Sequence, residues 1–278
     1  MHKYTRRTAV REVLTVIAAL VLLSPFYLLV NIAFKPDSDL LGQSAIAPPT
    51  TFSPENFANA IKGTSNSNLW EGMLNSIIIT AGSLVLLIAF GSIAAYVLTR
   101  RPGRASRIWF TLYLVGIILP FQLGMIPAFI VMRNLGLLGT HIGMILLYAG
   151  LLMPLAVFLY AGFARSLSKE YEEAASIDGS GPLSTFVRIV FPLLGPATGT
   201  VCILGGLIVW NDFFTSLVFL NGSDAVTLPV VIYGFVGAQV SQWNLIFAAL
   251  IISMIPILTL YLVAQKKFIQ GFSGGVKS

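Results

Sequence analysis

Long uncharged apolar runs separated by short polar stretches dominate the chain, and the length of each run decides how it is read. Six runs predict membrane-crossing helices: residues 13–34, a second within 72–99, 108–132, a fourth within 141–163, 192–213 with an extension toward Leu220, and 244–265. Each approaches the roughly 20 apolar residues that a helix needs to cross a bilayer. The stretch 225–265 is too long for one crossing. Its first part, VTLPVVIYGFVGAQVSQ, is less evenly apolar and predicts an interfacial or re-entrant piece ahead of the last helix. The fold class expected is therefore an all-α polytopic membrane protein with six transmembrane helices.

Composition agrees with this pattern. Of 278 residues, 56% are hydrophobic and 10% charged, whereas a soluble domain carries about 25% charged residues. The net charge of +6 does not point to nucleic acid, because the basic residues flank apolar runs and so report topology. Cys202 is the one cysteine and lies in an apolar run, which excludes a disulfide within the chain. The basic start before the first run resembles a secretory leader, but the run is too long and predicts a retained span.

Lys and Arg set the orientation. Lys3, Arg6, Arg7 and Arg11 precede the first span; Arg100, Arg101, Arg104 and Arg107 lie between the second and third; Arg165, Lys169 and Arg188 between the fourth and fifth; Lys266, Lys267 and Lys277 after the sixth. The opposite side holds Lys35, Lys62 and Arg133. Fourteen against three places both termini in the cytoplasm. The domains expected are a cytoplasmic N-terminus (1–12), a six-helix membrane domain (13–265) with a charged segment at 165–191, and a cytoplasmic tail (266–278). On the outside, residues 35–71 are proline-rich, with one short helix expected near SPENFANAI, capped by Ser53 and opened by Pro54.

The charged segment is EYEEAASIDGSGPLSTFVRIVFPLLGP, from Glu170 to Pro196. Ser168 is placed to cap a short helix whose first turns hold Glu170, Glu172 and Glu173, where the helix dipole favours acids. Leu167, Tyr171, Ala174 and Ala175 fall on one face by helical spacing. Gly179 suits a left-handed helix end and Pro182 the first position of the next helix. Leu183, Phe186, Val187 and Val190 would turn toward the membrane domain. An alanine floor with an acidic rim suits docking into a groove of another protein. A solvated connecting loop is the competing reading, and the residues alone weigh the two equally.

Glu173–Ala174–Ala175, then Gly179, Ile189 and Pro192, resembles the EAA signature of membrane subunits of binding-protein-dependent ABC importers. Phe191 stands where that signature usually has Leu. ENFANAI (from Glu55), LNSIIIT (from Leu74), AAYVLTR (from Ala94), WNDFFTSLVFL (from Trp210) and QKKFIQGFSGGVKS (from Gln265) are similar to the carbohydrate-uptake branch, in its maltose-type small permease subunit. The resemblance implies a permease of a bacterial plasma membrane that imports a sugar or oligosaccharide by alternating access. It implies a second permease subunit in a heterodimer, two cytoplasmic ATPase subunits and an extracytoplasmic solute-binding protein. The helix between spans four and five is then a coupling helix, with Tyr171, Glu172, Glu173, Ala174, Ala175, Asp178, Gly179, Ile189 and Pro192 as the residues that meet or support the ATPase contact. Gly274, Gly275 and Lys277 in the tail would reach toward the same ATPases.

The chain's own chemistry is expected to be sparse. No phosphate-binding loop is present, since Val276 stands where GFSGGVKS would need glycine before its lysine. ATP and Mg are expected in partner subunits, and no cofactor, metal or catalytic residue in this chain. His2 and His141 are too far apart for a zinc motif; a hydrogen-bonded structural role is expected for His141. Asp212, beside Trp210 and Asn211, is the acid inside a predicted span. It reads either as a satisfied interfacial anchor or as a contact for sugar hydroxyls or the binding protein. Gln122 with Pro127, and Met153 with Pro154, mark polar or proline-broken points that line a pathway or merely interrupt packing. A permease for a non-sugar solute such as polyamine or phosphate, or a non-energised channel or scaffold subunit, are the alternatives.

Overall fold

The structure, a computed structural model, describes residues 5–63, 68–236 and 242–274. Of the positions singled out above, Gly275 and Lys277 lie outside the described residues, as does part of the expected re-entrant piece, at 237–241. The described secondary structure is helical throughout: α1 (Arg6–Ala33), α2 (Asp37–Gly42), α3 (Glu55–Lys62), α4 (Leu69–Arg100), α5 (Arg104–Ile118), α6 (Phe121–Asn134), α7 (His141–Ser166), α8 (Glu170–Ile177), α9 (Pro182–Thr185), a π-helical turn (Phe186–Val190), α10 (Phe191–Leu193), α11 (Gly195–Asn211), α12 (Phe214–Leu220), α13 (Leu228–Tyr233) and α14 (Trp243–Gly274).

Among the described residues, four helices are long and apolar enough to cross a membrane: α1, α4, α7 and α14. Two bent pairs raise the number to six if each is one crossing, α5 with α6 at 102° and the segment Pro182–Leu193 with α11 at 69°. The expected third span is thus not straight. Its break falls at Pro120, a position the sequence pattern did not single out, and not at Pro127, which sits inside α6. Proline disfavours the helical conformation of the residue before it, and Leu119 is extended, with ψ 123°. Near Pro192 the helix widens to a π turn, the Phe191 N–H donating to the Phe186 carbonyl. Proline cannot donate and clashes with the carbonyl four residues back, and a π turn is one way to accommodate that defect.

The chain forms two compact units, Met1–Trp70 with Val231–Met254, and Glu71–Val230 with Ile255–Ser278. In the second, α7 is the central element. Met144, Tyr148, Leu152, Ala156, Tyr160 and Ala164 recur every fourth residue and are all buried, which is the stripe that a helix presents when packed along its length. Small residues let neighbours approach closely. A Cβ on Gly82 would stand 2.5 Å from Ile145 Cδ1, and one on Gly91 3.0 Å from the Ala156 Cβ. Asn75 ties α4 to the segment ahead of α13: its amide donates to the carbonyls of Asp224 and Val226, both at 2.9 Å. Its oxygen meets His141 Nε2 at 2.7 Å, the structural role expected for that histidine.

In the first unit, Asn56 on α3 donates to the carbonyls of Ala33 and Lys35, both at 2.9 Å. Asn244 donates to Asp37 Oδ1 at 2.7 Å and to Asn56 Oδ1 at 3.2 Å. The expected Ser53 side-chain cap of α3 is not formed. Ser53 is buried and its N–H donates to the Phe34 carbonyl, while Pro54 takes the cap position with no side-chain bond. Asp39 accepts from the Thr50 N–H at 2.7 Å and from its hydroxyl, and the backbone bond above all holds its carboxyl below the ordinary value of 3.8.

Two expectations follow. A Cβ on Gly143 would lie 2.1 Å from the Leu137 carbonyl oxygen, whereas one on Gly150, in the same helix, meets nothing within 4 Å. Gly143→Ala is expected to destabilise by about 1–3 kcal/mol through overpacking and Gly150→Ala to leave thermal unfolding in detergent unchanged or slightly improved. Because the folded-state pKa of Asp39 is depressed, its contribution is complete above 3.8 and is lost as pH falls through the lower folded value. The melting difference between the protein and Asp39→Asn is therefore expected to be full at neutral pH and to shrink as pH falls below 3.8.

Candidate functional site

The charged segment folds as two short helical pieces around a tight turn. Ser168 Oγ accepts from the Glu170 N–H at 3.3 Å, and the Lys169 carbonyl accepts from the Glu172 and Glu173 N–H groups. Ser168 thus supports the start of α8, one residue earlier than the cap position, which Lys169 occupies. The far end is closed by a paired motif: the Ser180 N–H donates to the Ala175 carbonyl at 2.9 Å and the Gly179 N–H to the Ser176 carbonyl at 3.1 Å. Gly179 adopts φ +77°, the left-handed state this motif requires and glycine provides. Asp178 is the C-terminal cap, and Pro182 opens α9 at its first position, as expected.

Helical spacing then divides α8 into two faces. Ala175 is buried, while Tyr171, Glu173, Ala174 and Ile177 are exposed, Ile177 at 88%. The alanine pair is therefore split, one alanine seating the helix and the other facing outward. Leu183 and Val187, expected to face the membrane domain, are exposed as well; Phe186 and Val190 are the residues that turn inward. The π turn adds a residue to the helical cycle, so a 3.6-residue wheel misplaces side chains beyond it. Ile189 is half-buried on this turn and Pro192 exposed in α10.

Glu172 does not join the acidic rim. Its Oε1 accepts from Arg100 Nε at 2.6 Å, in an ion pair whose side chains are 11% and 19% exposed. The Tyr96 hydroxyl donates to its other oxygen at 3.1 Å. Arg100 also donates to the Leu167 carbonyl at 3.0 Å, so one guanidinium joins the end of α4, the end of α7 and the start of α8. The Tyr96 ring packs on Phe186 with centroids 5.1 Å apart, which adds the π turn to the same joint. Arg100 and Tyr96 escaped functional attention in the sequence. The signal available was a basic residue closing a span, with a tyrosine four residues earlier on the same helical face.

The other candidates do not converge. Asp212 accepts from the Tyr148 hydroxyl at 2.7 Å and from the Thr215 N–H at 3.2 Å, so its carboxylate is hydrogen-bonded within the chain, at the start of α12 where the dipole favours an acid. Asn211 donates back to the Leu207 carbonyl. Trp210 is buried and lines an apolar recess of about 330 Å³ with Ile77, Thr80, Leu84 and Leu260. The Met153 sulfur would stand 3.7 Å from a Cβ on Gly91 and so packs against α4, and Gln122 is exposed on the first turn of α6. Neither lines that recess. Gly274 is the last residue of α14. No group of three or more His, Cys, Asp or Glu with metal-binding proximity occurs among the described residues.

The chain is 38% identical over 97% of both chains to the melibiose/raffinose/stachyose import permease protein MelC of Bacillus subtilis (strain 168). It is 33% identical over 95% of both chains to the multiple sugar-binding transport system permease protein MsmG of Streptococcus mutans. It is 32% identical over 94% of both chains to the probable starch degradation products transport system permease protein AmyC of Thermoanaerobacterium thermosulfurigenes. Its fold matches a chain of a bacterial ABC transporter involved in the import of the acidic polysaccharide alginate, with a TM-score of 0.82 over 96% of this chain and 100% of that one, at 24% identity. Residues 87–274, which contain α8 and its joint with α4, match the family of binding-protein-dependent transport system inner membrane components. This multi-pass membrane protein belongs to that family.

Proposed function

We propose that the chain is the permease subunit of an ATP-driven importer of a sugar or oligosaccharide, and that α8 receives the force of an ATPase. ATP and Mg belong to two separate ATPase subunits, a second permease subunit completes the pathway as a heterodimer, and an extracytoplasmic binding protein delivers the sugar. The distribution of Lys and Arg supports a cytoplasmic position for α8 and both termini. The relatives named for melibiose, raffinose and stachyose, for multiple sugars and for starch degradation products support the substrate class.

The observation that carries the coupling role is the division of α8 into two faces. Glu173, Ala174 and Ile177 face outward, available to a cleft on another protein. Glu172 and Ala175 face inward, held by Arg100 and by burial. A helix closed rigidly at its end and ion-paired at its first turn moves as a body, so a displacement imposed on its outer face is delivered to α4 and, through Phe186, to the π turn that leads into α11. The bent segments on either side of α7 are where such a push can change which side of the bundle is open.

In vesicles holding the complete transporter, Glu173→Lys is expected to lower ATP-driven uptake by about tenfold or more, a coupling loss of roughly 1.4 kcal/mol or above, with the thermal unfolding of the purified chain unchanged. Normal uptake by that variant rejects the assignment. Arg100→Glu and Glu172→Arg are each expected to reduce uptake while ATPase subunits still co-purify, and the double exchange to recover a substantial part of it. Uptake of labelled raffinose, but not of labelled putrescine or phosphate, is the outcome expected for a sugar importer.

A further inference from the structure

Four successive carbonyls after α2 are held by side chains, although most of the residues that carry them are exposed. Tyr27 and Asn31 in α1 and Lys35 just past its end stand at successive four-residue steps, and together they take four consecutive carbonyls. Lys35 Nζ donates to Ser44 O at 2.8 Å, Asn31 Nδ2 to Ala45 O at 2.7 Å, the Tyr27 hydroxyl to Ile46 O at 2.8 Å, and Asn31 Nδ2 again to Ala47 O at 2.9 Å. Several of the N–H groups nearby are bonded within the chain as well. Ile46 donates to Ser44 Oγ at 3.4 Å and Ala47 to Ser44 O at 3.1 Å; Pro48 and Pro49 have no N–H; Thr50 donates to Asp39 at 2.7 Å. A loop in water has no need of three side chains held over four successive carbonyls, because water serves the same groups. Irregular backbone at membrane depth does need them.

Depth follows from α1. From Val13, about 20 residues cross the hydrocarbon and reach the neighbourhood of Ile32. Tyr27 is five residues short of that point, or about 7 Å inside at 1.5 Å per residue, and its hydroxyl holds the Ile46 carbonyl. Ile46 itself is 69% exposed, beside an α1 surface that is unburied along its span. We infer that the Ser44–Pro49 turn is inserted into the leaflet at the C-terminal end of α1, with Ile46 against lipid acyl chains and Tyr27, Asn31 and Lys35 replacing the water its backbone gives up. The turn continues the apolar surface of α1 and anchors the first unit in that leaflet.

Bimane placed at Ile46→Cys, in a Cys202→Ala background, tests this in the complete transporter reconstituted in phosphatidylcholine vesicles. Ser38→Cys, on the exposed side of α2, is the water reference, and Leu22→Cys, on the exposed surface of α1, is the lipid reference. Quenching of the Ile46 label by dibrominated phosphatidylcholine at half or more of the Leu22 level, with iodide quenching a third or less of the Ser38 level, is the expected result. Iodide quenching equal to the Ser38 label overturns the inference by placing the turn in water. A label that neither quencher reaches overturns it too, because the surface is then covered by protein. Adding Tyr27→Phe, which leaves the Ile46 carbonyl without its donor, is expected to raise iodide quenching of the Ile46 label at least twofold.

Discussion

In lipid every backbone N–H and carbonyl must find its partner within protein, and the irregular parts of this chain are shaped by that requirement. Long helices meet it by themselves. The places that need help are those where a helix stops inside or near the bilayer, and there side chains supply the missing groups. Asn75 holds two carbonyls ahead of α13. Asp212 takes the Thr215 N–H where α11 gives way to α12. Ser76 Oγ accepts from the Leu228 N–H at 2.8 Å as α13 begins. Each is a polar residue that serves backbone groups, and Asn75 and Asp212 also bond the side chains of His141 and Tyr148.

The same economy explains why a single ion pair matters. The ion pair of Arg100 with Glu172 lies at the meeting point of α4, α7 and α8. A partly desolvated charge pair with a second donor, Tyr96, and a second acceptor, the Leu167 carbonyl, resists separation better than an isolated surface pair. Such a connection fixes α8 to α4 and α7 more firmly than apolar contact alone, since apolar side chains slide against one another at little cost. The outer face of α8 is left free of internal partners' side chains where Glu173 and Ala174 stand, so support and contact are assigned to opposite sides of eight residues.

Proline contributes through the bonds it cannot make. Pro120 separates two helices of 15 and 14 residues, each about 21–23 Å long and too short to cross alone. Pro192 coincides with the π turn that carries Phe186 to Tyr96. Pro154 sits within α7 with no break, and its ring meets the space above Gly116 at 3.0 Å, so close packing accommodates the irregularity there. Identical residues thus produce a right-angle bend, a widened turn or a continuous helix, according to what surrounds them.

That last point separates what is legible in one dimension from what is not. Apolar run length, the Lys and Arg flanks, the EAA segment, the left-handed Gly179 and the helix opening at Pro182 follow from local chemistry, and helix forms in each apolar run, though the third is broken at Pro120 and the fifth beside Pro192. Side-chain partners across 60 to 80 positions of sequence do not follow from local chemistry. Nothing near Glu172 announces that it turns inward to Arg100, and nothing near Asp212 announces Tyr148. Nothing in the segment itself announces that Phe186 turns inward to Tyr96 while Leu183 stays exposed. The sequence alone determined which segments cross the membrane and which short helix is charged. Tertiary packing decided which acid is ion-paired, which is exposed, and where backbone without a helix is supplied with hydrogen bonds, because those outcomes depend on which groups remain unpaired once the helices have met.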